Sequence, residues 1–260
     1  MTISTMTKSA LFKKTALAIL PAVFWVGVWQ AGAMIIDNSF LLPDVFDTAS
    51  AFKKIICESG FGFLLAVLST LLRVLLGLFL GVSVGVILAV LSHRFTVVRA
   101  VISPAVSVIK ATPVASFIII LWILLSGDAL SVFVAFLMVM PIIWQNLLDG
   151  YDAIDKELVE ISVVFELSFS KKMRVLVIPT LMRYLIPATI TAVGLAWKSE
   201  IAAEIIAYTR NSIGQYINDS KYLMDSAGVF AYTIVVIVLS ILLEKLAKFL
   251  LRRCEKWLSN

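Results

Sequence analysis

Residues 74–92 read VLLGLFLGVSVGVILAVLS, an unbroken run without one charged side chain. At ~1.5 Å of helical rise per residue it covers nearly all of the ~30 Å hydrocarbon core of a bilayer. A soluble helix buries one apolar stripe and keeps a polar face, so a soluble core has no need of such a run. Five more segments qualify by length and hydropathy, two of them irregular: one carries Pro113 near its start and another carries Lys198, Glu200 and Glu204. The predicted spans are 15–36, 61–91, 107–126, 129–148, 184–208 and 227–251. Composition points in the same direction: 61% of the 260 residues are hydrophobic and 15% charged. Soluble domains average about 45–50% and about 25%. The expected fold class is all-α, a polytopic membrane protein whose six transmembrane helices form one domain over 1–260.

Lys13 and Lys14 precede the first apolar run, and Ala31-Gly32-Ala33 resembles a small-residue cleavage site. The run continues to Ile36, so it is read as a retained span. With the amino terminus in the cytoplasm, sixteen of the 22 Lys and Arg fall on the cytoplasmic side. These are Lys8, Lys13, Lys14, Arg94, Arg99, Lys110, Lys156, Lys171, Lys172, Arg174, Arg183, Lys245, Lys248, Arg252, Arg253 and Lys256. The opposite side holds Lys53, Lys54, Arg210 and Lys221. The bias predicts a multi-pass protein of the bacterial inner membrane with both termini cytoplasmic. It also accounts for the net charge of +5 without a nucleic-acid partner. Cys57 and Cys254 fall on opposite sides in this scheme and form neither a bridge nor a metal spacing. The absence of any Gly-Lys dipeptide excludes a phosphate-binding P-loop. No internal repeat is strong enough to suggest inverted transporter halves.

The stretch 149–183 is the longest hydrophilic one in the chain. Ile154, Leu158, Ile161 and Phe165 recur at helical spacing, with Asp155, Glu157 and Glu160 on other faces, so 152–165 predicts a short amphipathic helix. Ser168-Phe169-Ser170 predicts a turn, and 171–178 a second helical run ending at Pro179. Two readings stay open at this level: a docking surface for a soluble partner, or an ordinary solvated loop.

The loop also carries a pattern. Glu160-Ile161-Ser162, Glu166, Leu176, Ile178 and Pro179 stand at the offsets of the cytoplasmic signature Glu-Ala-Ala, three residues, Gly, nine residues, Ile, one residue, Leu-Pro. Glu and Pro agree in identity, and Glu166 replaces the glycine. If that glycine is left-handed, a Glu there costs roughly 1 kcal/mol. Leu41-Leu42-Pro43, the stretch Ser69 to Gly77, Lys110-Ala111-Thr112-Pro113, Ala196-Trp197 and Ala203-Glu204 add to the likeness. The chain resembles permeases of binding-protein-dependent type I ABC importers, of the nitrate/taurine/sulfonate group. That resemblance implies a second permease copy, two ABC ATPase subunits that bind ATP and Mg, and an extracytoplasmic binding protein. This chain would hold no cofactor and no metal and would be no enzyme itself. Glu160, Ile161, Ser162, Phe165, Glu166, Leu167, Ser168 and Pro179 would couple it to the ATPase.

Charges inside the membrane cost about 2.5–3.5 kcal/mol each on insertion scales and so are functional candidates. Arg73 can sit at the outer interface, in a structural or snorkelling role. Trp197, Glu200 and Glu204 share an arc of about 60° on a helical wheel, with Lys198 well off it. They either line a wet path or pair with basic groups on other helices. Gln145 and Asn146 either line a cytoplasmic gate or hydrogen-bond neighbouring helices. An ion- or proton-coupled secondary transporter using Glu200 or Glu204 is the alternative to the importer.

Overall fold

The computed structural model describes the backbone of residues 3–58 and 60–258 and the side chains of 20–57 and 60–253. The side chains of Lys8, Lys13, Lys14, Cys254 and Lys256 therefore lie outside the described residues. Among the described residues the chain is helical with no strand. Its helices are α1 (Ile3–Ile36), α2 (Val45–Glu58), α3 (Gly60–Arg94), α4 (Thr96–Ala111), α5 (Val114–Leu124) and α6 (Asp128–Asp152). They continue with α7 (Lys156–Val164), α8 (Phe169–Lys172), α9 (Ile178–Ala207), α10 (Ile213–Tyr222) and α11 (Ser226–Leu258). A π turn, Met173–Val177, joins α8 to α9 without a break.

α3, α6, the continuous helix Phe169–Ala207 and α11 are each long and apolar enough to cross a membrane. The third predicted span, 107–126, needs correction. It is two helices, α4 and α5, bent by 108° and long enough only as a pair. Pro113 has no N–H to give the carbonyl of Ile109 and pushes Thr112 out of the helical region, to φ −80° and ψ 131°. The described part of α1, Leu20–Ile36, is a shorter apolar helix; counted with the others, it makes six spans compatible with the structure.

The run 171–178 also departs from its reading. It does not end at Pro179 but passes through it into α9. Pro179 cannot donate to Val175, and the widened π turn just before it accommodates the missing bond. α2 falls outside the predicted spans, although Val45, Thr48, Phe52, Ile55 and Ile56 recur at helical spacing. Asp44 caps it by accepting from Asp47 N at 2.6 Å.

Two compact groups of residues make up the chain, 1–60 with 216–234, and 61–215 with 235–260. In the first, Trp29 Nε1 donates to Pro43 O at 3.0 Å and its ring stacks on Phe230 at 5.5 Å. Gln30 Oε1 accepts from Val45 N at 3.0 Å, tying α1 to the start of α2.

In the second group, α6 and α9 form the most extensive helix pair. α3 closes on α6 through glycines one turn apart. A Cβ on Gly77 would stand 2.5 Å from that of Ala135, one on Gly81 2.5 Å from that of Val139, and one on Gly85 2.8 Å from that of Ile143. Without side chains there the backbones approach closely, the small-xxx-small packing of membrane helices. Both series ascend together, so α3 and α6 run parallel, and α4 with α5 must carry the chain back to the Asp128 end. Trp144 Nε1 fastens the other end to Ser92 Oγ at 3.0 Å. The outward face of α3 (Leu65, Leu68, Leu72, Leu76, Phe79) is exposed and apolar, as a lipid-facing surface is.

Candidate functional site

α9 ends at Tyr208, which takes the left-handed conformation, φ 51°. The chain then turns back over the helix end, with Thr209 N bonded to Glu204 O at 3.1 Å. This return brings Gly214 onto Glu204, so close that a Cβ on Gly214 would collide with the Glu204 side chain. Gly214 N donates to Glu204 Oε2 at 3.0 Å. Thr70 Oγ1 donates to Glu204 Oε1 at 2.7 Å and accepts from Ile213 N at 3.1 Å.

Arg73 completes the cluster. Nη1 lies 2.9 Å from Glu204 Oε1, and Nη2 lies 2.7 Å from Asp128 Oδ1. Nη2 also donates to Arg210 O at 3.1 Å. Of the two roles expected for Arg73, structural or snorkelling, this is the structural one: the side chain is 6% exposed and points into the protein. Pairing offsets the cost of burying the Glu204 carboxylate, and α3 passes Glu204 at this turn. The planar guanidinium offers enough donors to join two carboxylates and a carbonyl at once. Thr70, Asp128 and Gly214 escaped sequence reasoning. The available signal was Gly127-Asp128 opening a span, an acidic residue in a helix first turn.

Glu204 is therefore paired, and Glu200, one turn away, is not. Glu200 is fully buried, and neither of its oxygens meets a hydrogen-bond donor among the described residues. Trp197 is buried too and donates from Nε1 to Val236 O at 3.2 Å. The shared arc read from sequence is real, and within this chain it faces inward. Gln145 Nε2 donates to Asp149 Oδ1 at 2.9 Å and Asn146 Nδ2 to Ile142 O at 2.8 Å. Both amides are occupied on their own helix.

In the loop, Asp155 caps α7 by accepting from Glu157 N at 2.8 Å. Glu166 is left-handed, φ 48°. Glu166 N bonds Val163 O at 3.0 Å and Leu167 N bonds Ser162 O at 2.9 Å. Those two bonds are a Schellman turn, with Glu166 at the position where glycine is usual. Ser162 is buried, and its hydroxyl donates to Val159 O at 2.6 Å. Leu158, Ile161, Val164, Phe165 and Phe169 are exposed, Phe165 at 74% and Phe169 at 79%. Glu160 and Ser168 are exposed beside them, and Pro179 lies in the helix beyond.

A family model described as "Binding-protein-dependent transport system inner membrane component" matches residues 81–256. The Bacillus subtilis (strain 168) protein SsuC, provisionally named an aliphatic sulfonates transport permease protein, is 23% identical over 243 residues. The match covers 92% of this chain and 86% of SsuC. An amino acid ABC transporter solved with histidines shares the fold at TM-score 0.61 and 16% identity, covering 75% of this chain and 93% of that one. The inward-facing MetNI methionine ABC transporter does so at TM-score 0.62 and 16% identity, covering 79% of this chain and 100% of that one.

Proposed function

The chain belongs to the family of binding-protein-dependent transport system inner membrane components, and from that premise we propose how it is partnered and what it carries. It is a membrane permease of an ABC importer, not an enzyme and not an ion-coupled secondary transporter. Two copies would form the path, with both termini in the cytoplasm. An extracytoplasmic binding protein would deliver a small anionic organic solute, a class supported by the likeness to SsuC. Two ATPase subunits, which hold the ATP and Mg, would drive transport.

The observation that carries the coupling is the exposed apolar end of α7. Phe165 and Phe169 stand in the open on the most polar stretch of the chain. The Schellman turn fixes their direction, so they are presented rather than merely uncovered. A groove that buried Phe165 would gain about 1.5–3 kcal/mol. Ile161, Leu167 and Ser168 would flank the contact, and Glu160 would orient it through a charge-assisted hydrogen bond to the partner.

Phe165→Ala is expected to weaken co-purification of the ATPase by about one to two decades, at roughly 1.4 kcal/mol per decade. Glu160→Ala is expected to keep the ATPase bound and to lose uptake. Membrane yield should not change in either variant, because the turn lies outside the bundle. Wild-type uptake in both would end the coupling role of this loop.

A further inference from the structure

With Glu200 and Glu204 turned inward, the opposite side of α9 is the one that meets something outside the chain. Its exposed residues there are Pro187, Thr191 and Lys198. At 100° per residue these three lie within about 40° of one another. This face carries a hydroxyl and a charge among apolar neighbours, unlike the leucine face of α3.

Within the predicted span 184–208, Lys198 stands two residues past the midpoint, which puts it near the middle of a ~30 Å core. That depth is beyond the reach of a four-carbon stem to the headgroups. A lysine facing acyl chains at the centre costs about 2.5–3.5 kcal/mol on insertion scales. No carboxylate lies within ion-pair distance of Lys198 among the described residues. The nearby cavity of about 400 Å³, between α9 and α11, has Thr191, Lys198, Glu244 and Lys248 as its polar lining, with Gly194, Ile190 and Leu195 completing the wall. Glu244 is occupied by Lys248 at 3.5 Å, so the cavity keeps one uncompensated positive charge. Gly194 opens its floor: a Cβ there would stand 2.9 Å from Glu244 Oε1.

We propose that this face of α9 lines the solute path, and that Lys198 receives the anionic end of the solute, a sulfonate or carboxylate, at mid-membrane. The ligand class rests on the permease reading above; the wet face does not. The ammonium offers a point charge with three donors, and the neighbouring Glu244 keeps the seat weak. A transport site has to let go of what it receives.

The test uses the assembled transporter in proteoliposomes, with its binding protein loaded with ethanesulfonate. Lys198→Gln should cut uptake at saturating binding protein about tenfold, and Lys198→Arg should stay within about twofold of wild type. Co-purification of the ATPase should be unchanged in both. In a Cys57→Ser, Cys254→Ser background, Lys198→Cys should react with an anionic methanethiosulfonate, while Leu76→Cys on the lipid face of α3 should not. Lys198→Cys as inert as Leu76→Cys would overturn the wet face. Wild-type uptake by Lys198→Gln would overturn the anion role. Loss of assembly in Lys198→Gln would mean that the lysine pairs with a second copy instead. A wild-type protein that takes up no ethanesulfonate would sink the solute class, with the thiol reaction still deciding the face.

Discussion

α3 and α9 are both long apolar helices of the same bundle, and they are built inside out relative to each other. α3 turns glycines inward at Gly77, Gly81 and Gly85 and leucines outward. α9 turns two carboxylates inward and a lysine outward. In water this arrangement of α9 would be perverse, because charges gain by facing solvent. In a bilayer the solvent is hydrocarbon, and a carboxylate such as that of Glu204 is better satisfied among its own protein's donors. From Gly77 to Gly85, α3 shows how helices approach where only van der Waals packing is at stake. The inward side of α9 shows the arrangement forced on a carboxylate where there is no water.

The largest way to break the comparison is at Glu204. Glu204→Ala strands Arg73 beside a single exposed carboxylate, and removing one member of a buried pair costs about 3–5 kcal/mol. Heat denaturation in detergent should show a collapsed midpoint, and membrane yield should fall. Leu76→Lys tests the outward faces. On α3 a lysine meets lipid and should cost about 2.5–3.5 kcal/mol of insertion, read as lost membrane yield, although a lysine stands at an outward position of α9. Gly81→Ala tests the inward faces. Its methyl would press on Val139, and overpacking of this kind costs about 1–3 kcal/mol, seen in the same denaturation midpoint. The smallest effect lies at the end of α7. Glu166→Gly relieves a left-handed glutamate and should stabilise the turn by about 1 kcal/mol, detectable as slower proteolysis of the 156–168 loop.

Span positions were legible because length and hydropathy are local properties. Residues 61–91 and 129–148 sit inside α3 and α6 almost as read. The break at Thr112-Pro113 was less so, since proline can start, kink or end a helix and only packing decides which. The arc of Trp197, Glu200 and Glu204 was readable from spacing. Its partner was not, because Arg73 lies 131 residues away from Glu204 in sequence. A pairing across that distance is settled by which helix passes, and periodicity carries no record of it. The cost of a left-handed turn at Glu166 was legible in the replaced glycine. In the structure Glu166 itself adopts the left-handed conformation, φ 48°.

The helix from Phe169 to Ala207 runs 39 residues without interruption, or about 58 Å at 1.5 Å each. It begins at the exposed loop and ends on the ion pair. A rod of that length carries a twist applied at one end to the other with little loss, as a key turns a lock from outside the door. A loose joint near its start is the π turn at 173–177. One residue removed there would restore α-helical phase and swing the two ends about 100° relative to each other. The loop could then be gripped as before, yet turn the far end toward the wrong neighbours.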